Sequence, residues 1–420
     1  MSHIDAIPPA ATKRSCFALF VLTIVVLEAV TSLRMPRTWP AEWDQATAMV
    51  VTNSVARKVA QGMSAPMADS FEADLKHTVT WNGAQPDRHY LRQFGAGVFA
   101  LAAFAPSEPD RLERYLMSAR YVAAALSIVV TAAILALLAR RCGIAMGIAL
   151  LVFLSNDLRY LSFCSFLRSL YWLPGLSLLP LLVMLALYTP AAPPGRRRLT
   201  MLLFGGAVCL RALCGYEYIS VPVLMSCAVI LFRAADVSPK VLAGDCLKYV
   251  VCGGIGTALA IGIHAVSLYH AFGSWQAAYD NTLGNAIRRS FGEHELVRHV
   301  SNPAAHFRGI LGTLRQNPPL SIVILLWFAA LVAYALRVKR KKASPRSTFD
   351  LRLKSLALAS LAGAVASASW LVLMRTHAAL HPQYNSMAFY QGFIWFAIPF
   401  IVVFAVGAWK EFRSAGESGG

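Results

Sequence analysis

Ten apolar runs, separated by charged connections, constrain this chain more than any other feature of its sequence. They cover residues 16–33, 118–139, 143–156, 170–188, 199–215, 219–232, 249–269, 319–336, 355–374 and 392–409. At ~1.5 Å per residue, most approach the ~30 Å of hydrocarbon in a bilayer. Of the 420 residues, 57% are hydrophobic and only 14% charged, whereas soluble domains carry about 25% charged residues. Such a chain needs lipid as its solvent. The expected fold class is therefore all-α, a polytopic integral membrane protein of about ten transmembrane helices with two large outer loops that contain interfacial helices.

The net charge of +18 would suggest a nucleic-acid partner in a soluble protein. Here the basic residues cluster between apolar runs, which is how membrane topology is encoded, and no nucleic-acid partner is expected. Lys13 and Arg14, Arg140 and Arg141, Arg196 to Arg198, then Arg233, Lys240 and Lys248 fall on one side, followed by Arg337 to Lys342 and by Lys410 and Arg413. The positive-inside rule makes that side the cytoplasm, with both termini there and the inner (cytoplasmic) membrane as the location. Lys13 and Arg14 before the first run mimic a secretory signal. The run is too long for one and no A-x-A site follows, so it reads as an uncleaved span.

This divides the chain into a cytoplasmic start and first helix (1–33), a large outer loop (34–117), helices two to seven (118–269), a second outer loop (270–318), helices eight to ten (319–409) and a cytoplasmic tail (410–420). In the first loop, Pro40 at a helix start, Gly62 at its end and a Trp43, Val51, Val55, Val59 stripe predict an interfacial helix over 40–61. The apolar stretch 94–105 is too short to span, and would be re-entrant or packed on the bundle.

The eight cysteines show no CxxC pair or ligand spacing and read as small apolar residues. Phosphate-loop, nucleophile-elbow and dinucleotide motifs are absent. His294-Glu295-Leu296-Val297-Arg298-His299 is one residue longer than a zinc-protease HExxH, so its imidazoles would diverge by roughly 140° on a helix. No metal site and no cofactor are expected.

The residues able to carry chemistry concentrate on the outer side. Glu42 and Asp44, just beyond the first span, suit a general base acting on a hydroxyl at the lipid interface; in the first turns of a helix they would also serve its dipole. Glu217, between Tyr216 and Tyr218, lies where an ionised group is costly unless paired or facing a wet cavity. Pairing with Arg211 and substrate binding are both open to it, and Glu28 has the same two readings. Arg159, Arg168, Tyr171 and Trp172 suit a lipid phosphate or simple snorkelling. Arg288, Arg289, His294, Arg375, His377 and His381 could neutralise a departing phosphate, or act only as interfacial charge.

The layout resembles the GT-C class of membrane glycosyltransferases: many spans, a long first outer loop with an acid soon after span one, and basic, aromatic outer loops. The local matches are the acids of Trp39-Pro40-Ala41-Glu42-Trp43-Asp44 and the outer Tyr-Trp and Arg-His segments. The resemblance implies that a first-loop acid, Asp44 or Glu42, assists attack by an acceptor on a sugar carried by a polyprenyl phosphate, while basic outer residues hold that phosphate. The expected partners are a polyprenyl-phosphate-linked sugar donor, a glycan or lipid acceptor, and membrane lipids. Better-marked members carry an adjacent acid pair, which Trp43 splits here. A transporter or flippase of a lipid-linked saccharide, a glycan polymerase or ligase, and a non-catalytic assembly subunit are the competing readings. No internal repeat of the transporter kind is visible in the sequence.

Overall fold

The computed structural model describes residues 11–34, 55, 69–70, 88–89, 95–157, 160–161, 174–234, 237–291, 312, 315–340, 348–374, 378 and 385–417. The chain is an all-α, multi-pass membrane protein. Its helices in order are α1 (Lys13–Arg34), α2 (Ala96–Ala103), α3 (Pro109–Cys142), α4 (Ile144–Asn156), α5 (Pro174–Leu187), α6 (Pro194–Cys214), α7 (Ser220–Arg233), α8 (Pro239–Phe272), α9 (Trp275–Asn281), α10 (Leu283–Phe291), α11 (Pro318–Arg340), α12 (Thr348–Leu373), α13 (Ser386–Gln391) and α14 (Ile394–Glu417). Extended structure among the described residues is limited to a two-residue antiparallel pairing of Asp69–Ser70 with Arg88–His89.

Among the described residues, six helices are long and apolar enough to cross a membrane, namely α1, α3, α8, α11, α12 and α14, and α4, α5 and α7 are shorter apolar helices. Each of the ten apolar runs of the sequence is helical where described. The expected helix over 40–61 lies outside the described residues apart from Val55, which is buried against Val98, Leu112 and Leu116. The stretch 94–105 forms α2, which packs on α6 and α3; Tyr115 of α3 donates from its hydroxyl to the Leu101 carbonyl at 2.8 Å.

The short helix α7 sits at the centre, packed on α12, α8, α5 and α13, while α6 pairs with α8, α1 with α3, and α14 with α12, α11 and α4. No hydrophobic force drives helices together in lipid, so close association depends on small residues that let backbones meet. At the α6–α8 contact a Cβ on Gly256 would stand 2.3 Å from the Gly205 carbonyl oxygen, and one on Gly205 would stand 3.0 Å from Cys252 Sγ.

One end of the bundle is basic and is stitched by ion pairs. Asp245 accepts a hydrogen bond from Tyr188 Oη at 3.0 Å and lies 3.5 Å from Lys248 Nζ and 3.9 Å from Arg197 Nη2. Arg233, closing α7, donates to the carbonyls of Tyr188 and Leu185, where cations favour the end of α5. Arg337 bridges Asp350 at 3.2 Å and Glu411 at 2.7 Å.

Helix lengths make the opposite end uneven. The helices α4 and α7 have 13 and 14 residues. Each therefore rises only ~20 Å, against ~30 Å of hydrocarbon. Both are anchored at the basic end: α4 follows Arg140 and Arg141, and α7 closes on Arg233. Their other ends consequently stop ~10 Å short of the far boundary. By contrast α3 and α8 have 34 residues each, and rise ~50 Å. Among the described residues, α3 and α8 thus extend well past the far ends of α4 and α7.

Gly256→Ala is expected to destabilise the purified protein by about 1–3 kcal/mol, because the clash is with backbone that cannot swing away. Gly254→Ala, whose Cβ meets nothing within 4 Å, should stay within about 0.5 kcal/mol of wild type. Thermal unfolding in detergent measures both; equal effects would contradict the close α6–α8 approach.

Candidate functional site

A buried polar layer is built first from the α6–α7 turn, which contains three of the residues singled out in the sequence. Gly215 ends α6, and Tyr216, Glu217 and Tyr218 lead into α7. A backbone turn at this depth leaves carbonyls with no water to meet them, and each must be satisfied within the protein. Arg211, on the last turn of α6, does this. Its Nη1 donates to the Gly215 carbonyl at 2.8 Å and its Nη2 to the Glu217 carbonyl at 2.9 Å. With 1% of its surface exposed, the guanidinium is a permanent positive charge inside the bundle.

Glu217 is 4% exposed, so its carboxyl is held inside the protein in the neighbourhood of that charge. The next residue, Tyr218, has φ +60°. A bulky residue rarely adopts this left-handed conformation, which costs of order 1–3 kcal/mol and persists only where the surroundings impose it. Here burial imposes it: the Tyr218 ring lies 4.5 Å from that of Trp370 on α12. On the other side Tyr216 Oη lies 2.9 Å from His264 Nδ1 of α8, with the two rings stacked at 5.8 Å.

An internal ruler fixes the depth of this layer. Lys248 is exposed near the basic end of α8, and Tyr269, 21 residues further on, stacks on Trp275 at 4.4 Å in an exposed aromatic patch. That separation is ~32 Å, the thickness of the hydrocarbon, and Tyr and Trp favour its boundary. His264 lies five residues, or ~8 Å, below the patch. The Tyr216–Glu217–Tyr218 turn thus sits inside the membrane thickness.

A second buried acid completes the floor. Asp157, which caps the end of α4, is 1% exposed. It accepts hydrogen bonds from Tyr390 Oη of α13 at 2.5 Å and from the Tyr160 backbone N–H at 3.2 Å. Tyr390 in turn accepts from Asn317 Nδ2 at the start of α11, and Tyr160 shares a hydrogen bond with Thr131 of α3. The two acids belong to one continuous layer. Trp370 and Ser367 lie on α12, Ser367 Oγ donates to the Ala388 carbonyl of α13 at 3.0 Å, and Tyr390 extends from α13 to Asp157.

Two groups on α13 carry a further signal. The Gln391 side chain is 2% exposed, and neither its oxygen nor its nitrogen has a hydrogen-bond partner; the Ser386 hydroxyl, fully buried, also has none. Such groups in a membrane interior need a ligand or water to be stable.

The remaining sequence candidates are placed less fully. Arg288 and Arg289 lie on α10, beyond the aromatic patch. Glu28 is exposed on α1. Glu42, Asp44, Arg159, Arg168, Tyr171, Trp172, His294, Arg375, His377 and His381 lie outside the described residues. No group of three or more His, Cys, Asp and Glu able to hold a metal ion occurs among the described residues. The described cysteines are free thiols in buried or half-buried positions.

Comparison of the chain with protein-family models, with curated proteins and with solved structures gives no significant match. The buried polar layer offers two carboxyls, a guanidinium, several tyrosines and a tryptophan. That set can hold a polyhydroxylated ligand by hydrogen bonds and ring faces, and can exchange a proton with it.

Arg211→Met keeps much of the side-chain volume but leaves the Gly215 and Glu217 carbonyls without donors. At about 1–3 kcal/mol for each lost partner, it should destabilise the protein by about 2–6 kcal/mol, with Arg211→Lys intermediate. Thermal unfolding in detergent reads this, and a wild-type melting profile for Arg211→Met would show that the turn does not depend on the guanidinium.

Proposed function

We propose that this protein is a membrane glycosyltransferase that moves a sugar from a polyprenyl phosphate to a glycan or lipid acceptor of the cell envelope, at the end of the bundle opposite the basic one. The basic end would face the cytoplasm by the positive-inside rule, with both termini on that side and the chain in the inner membrane. The opposite end would then face outward, away from nucleotide-activated sugars, and a lipid-borne donor would be required.

The observation that supports this reading is the buried polar layer of Glu217, Tyr216, Tyr218 and Trp370 among apolar helices. A polyprenyl chain could lie along the exposed apolar faces of the long helices while its phosphate and sugar approach the polar layer. In the reaction, the acceptor hydroxyl attacks the anomeric carbon, the bond from that carbon to the phosphate oxygen breaks, and the phosphate leaves with the bonding pair. A carboxylate accepts the hydroxyl proton. The GT-C resemblance assigns that role to Asp44 or Glu42. The buried layer adds Glu217 as a group able to bind and orient the sugar, with the Arg and His residues of the outer loops as candidates to stabilise the departing phosphate.

A transporter or flippase reading draws support from the same buried ionisable groups, since intramembrane charges also mark translocation paths. Envelope glycans of cells lacking the protein, complemented with matched amounts of wild type, Asp44→Asn or Glu217→Gln, separate the two by mass spectrometry. The transferase reading expects one glycan to lose a sugar, wild type to restore it, and Asp44→Asn to restore less than about 1% of it, as loss of a general base predicts. Full restoration by both variants would contradict it and favour translocation or an accessory role.

A further inference from the structure

The short helix α13 packs against α12, α14 and α7, and its backbone is pinned on both sides of Gln391. Trp395 Nε1 donates to the Tyr390 carbonyl at 2.7 Å, and the Phe393 N–H donates to Ser367 Oγ of α12 at 3.1 Å. Between them, a Cβ on Gly392 would stand 2.6 Å from that same oxygen and 3.1 Å from Val221 Cγ1 of α7. Val221 belongs to the Glu217 turn, since its N–H donates to the Tyr218 carbonyl at 2.9 Å. Tyr390 in turn donates to Asp157 at 2.5 Å. Gln391 is thus flanked by one residue bonded to Asp157 and by another packed beside the turn that contains Glu217.

In this fixed setting the amide is left open. Gln391 is 2% exposed, and both its oxygen and its nitrogen lack a hydrogen-bond partner; the Ser386 hydroxyl, fully buried on the same helix, lacks one too. The fold gains nothing from such an amide, because an apolar side chain of the same shape would be neutral or stabilising there. The open groups themselves select the ligand. Oε1 accepts, Nε2 donates, and a serine hydroxyl does both. A phosphate or carboxylate could meet only the donors and a cation only the acceptors, whereas a hydroxyl group meets both, and α13 carries no charged residue. We infer that Gln391, assisted by Ser386, binds the uncharged hydroxyl groups of a sugar and determines which sugar is accepted. This rests on the proposed transferase reading of the polar layer and adds to it the element that sets sugar specificity.

The test follows thermal unfolding of the purified full-length protein in an amine-oxide detergent. Octyl glycosides of glucose, galactose, mannose and N-acetylglucosamine are added below their micellar concentrations, with octyl phosphate as a charged control. At least one glycoside should raise the wild-type melting temperature, and the four should differ in affinity. Gln391→Met, which keeps the length of the side chain, should weaken the best glycoside about tenfold and level the differences among the four, and Ser386→Ala should weaken it about threefold. Octyl phosphate should change by less than about twofold. Without ligand, Gln391→Met and Gln391→Leu should melt at or above wild type, because each removes an unmet buried amide. The inference is overturned if no glycoside stabilises wild type, or if the variants bind glycosides as wild type does, which would leave ordered water as the partner of the amide. It is equally overturned if both ligand-free variants melt lower or fail to fold, which would give the amide a structural role. Glycoside binding is read on the protein alone, and sugar transfer on the envelope glycans of cells lacking it, so failure of this inference and failure of the transferase reading are told apart.

Discussion

Arg211 satisfying the end of α6 is the contact on which the far half of the bundle depends. In lipid a helix can stop below the boundary only if its last carbonyls find donors inside the protein. By capping the Gly215 and Glu217 carbonyls, one guanidinium lets α6 turn back into α7 within the membrane thickness. The same contact holds the backbone of Glu217, a buried acid that leads into the left-handed Tyr218. The chain thus uses the requirement to satisfy backbone groups as the means of placing an acid where acids are otherwise excluded.

The basic end solves the complementary problem. There Asp245, Tyr188, Arg197 and Arg233 join α5, α6, α7 and α8, and Arg337 joins α11, α12 and α14. These contacts set α5, α6, α7 and α8 in register at one boundary.

Most of this architecture was legible in the sequence because hydropathy and charge clusters report directly on solvent. The apolar runs over 16–33, 219–232 and 319–336 coincide closely with α1, α7 and α11. Boundaries were less legible where a helix continues past the hydrocarbon: α3 starts at Pro109 rather than at 118, and α8 at Pro239 rather than at 249, because their first turns carry Asp110, Arg111, Lys240 and Asp245 and lack the apolar signal. Half of the buried polar layer was legible too. Glu217 drew notice as a lone acid among tyrosines within an apolar region. Asp157 did not, although the same signal marked it, an acid directly after an apolar run. Its partner Tyr390 is 233 residues away and no spacing rule reaches that far. Nor could the sequence reveal that Arg211 serves backbone carbonyls, since only the fold brings them to its fork.

The central claim is that a polar layer lies within the membrane thickness and opens on the side opposite the basic end. Labelling of single cysteines by a membrane-impermeant maleimide, in intact cells expressing an otherwise cysteine-free protein, tests it most directly. Tyr216→Cys should react from outside the cell, while Leu203→Cys, exposed on the outer surface of α6, and Arg413→Cys at the basic end should both stay unlabelled until the membrane is dissolved or opened. Protection of Tyr216→Cys, or its labelling only under the conditions that also label Arg413→Cys, would contradict the account.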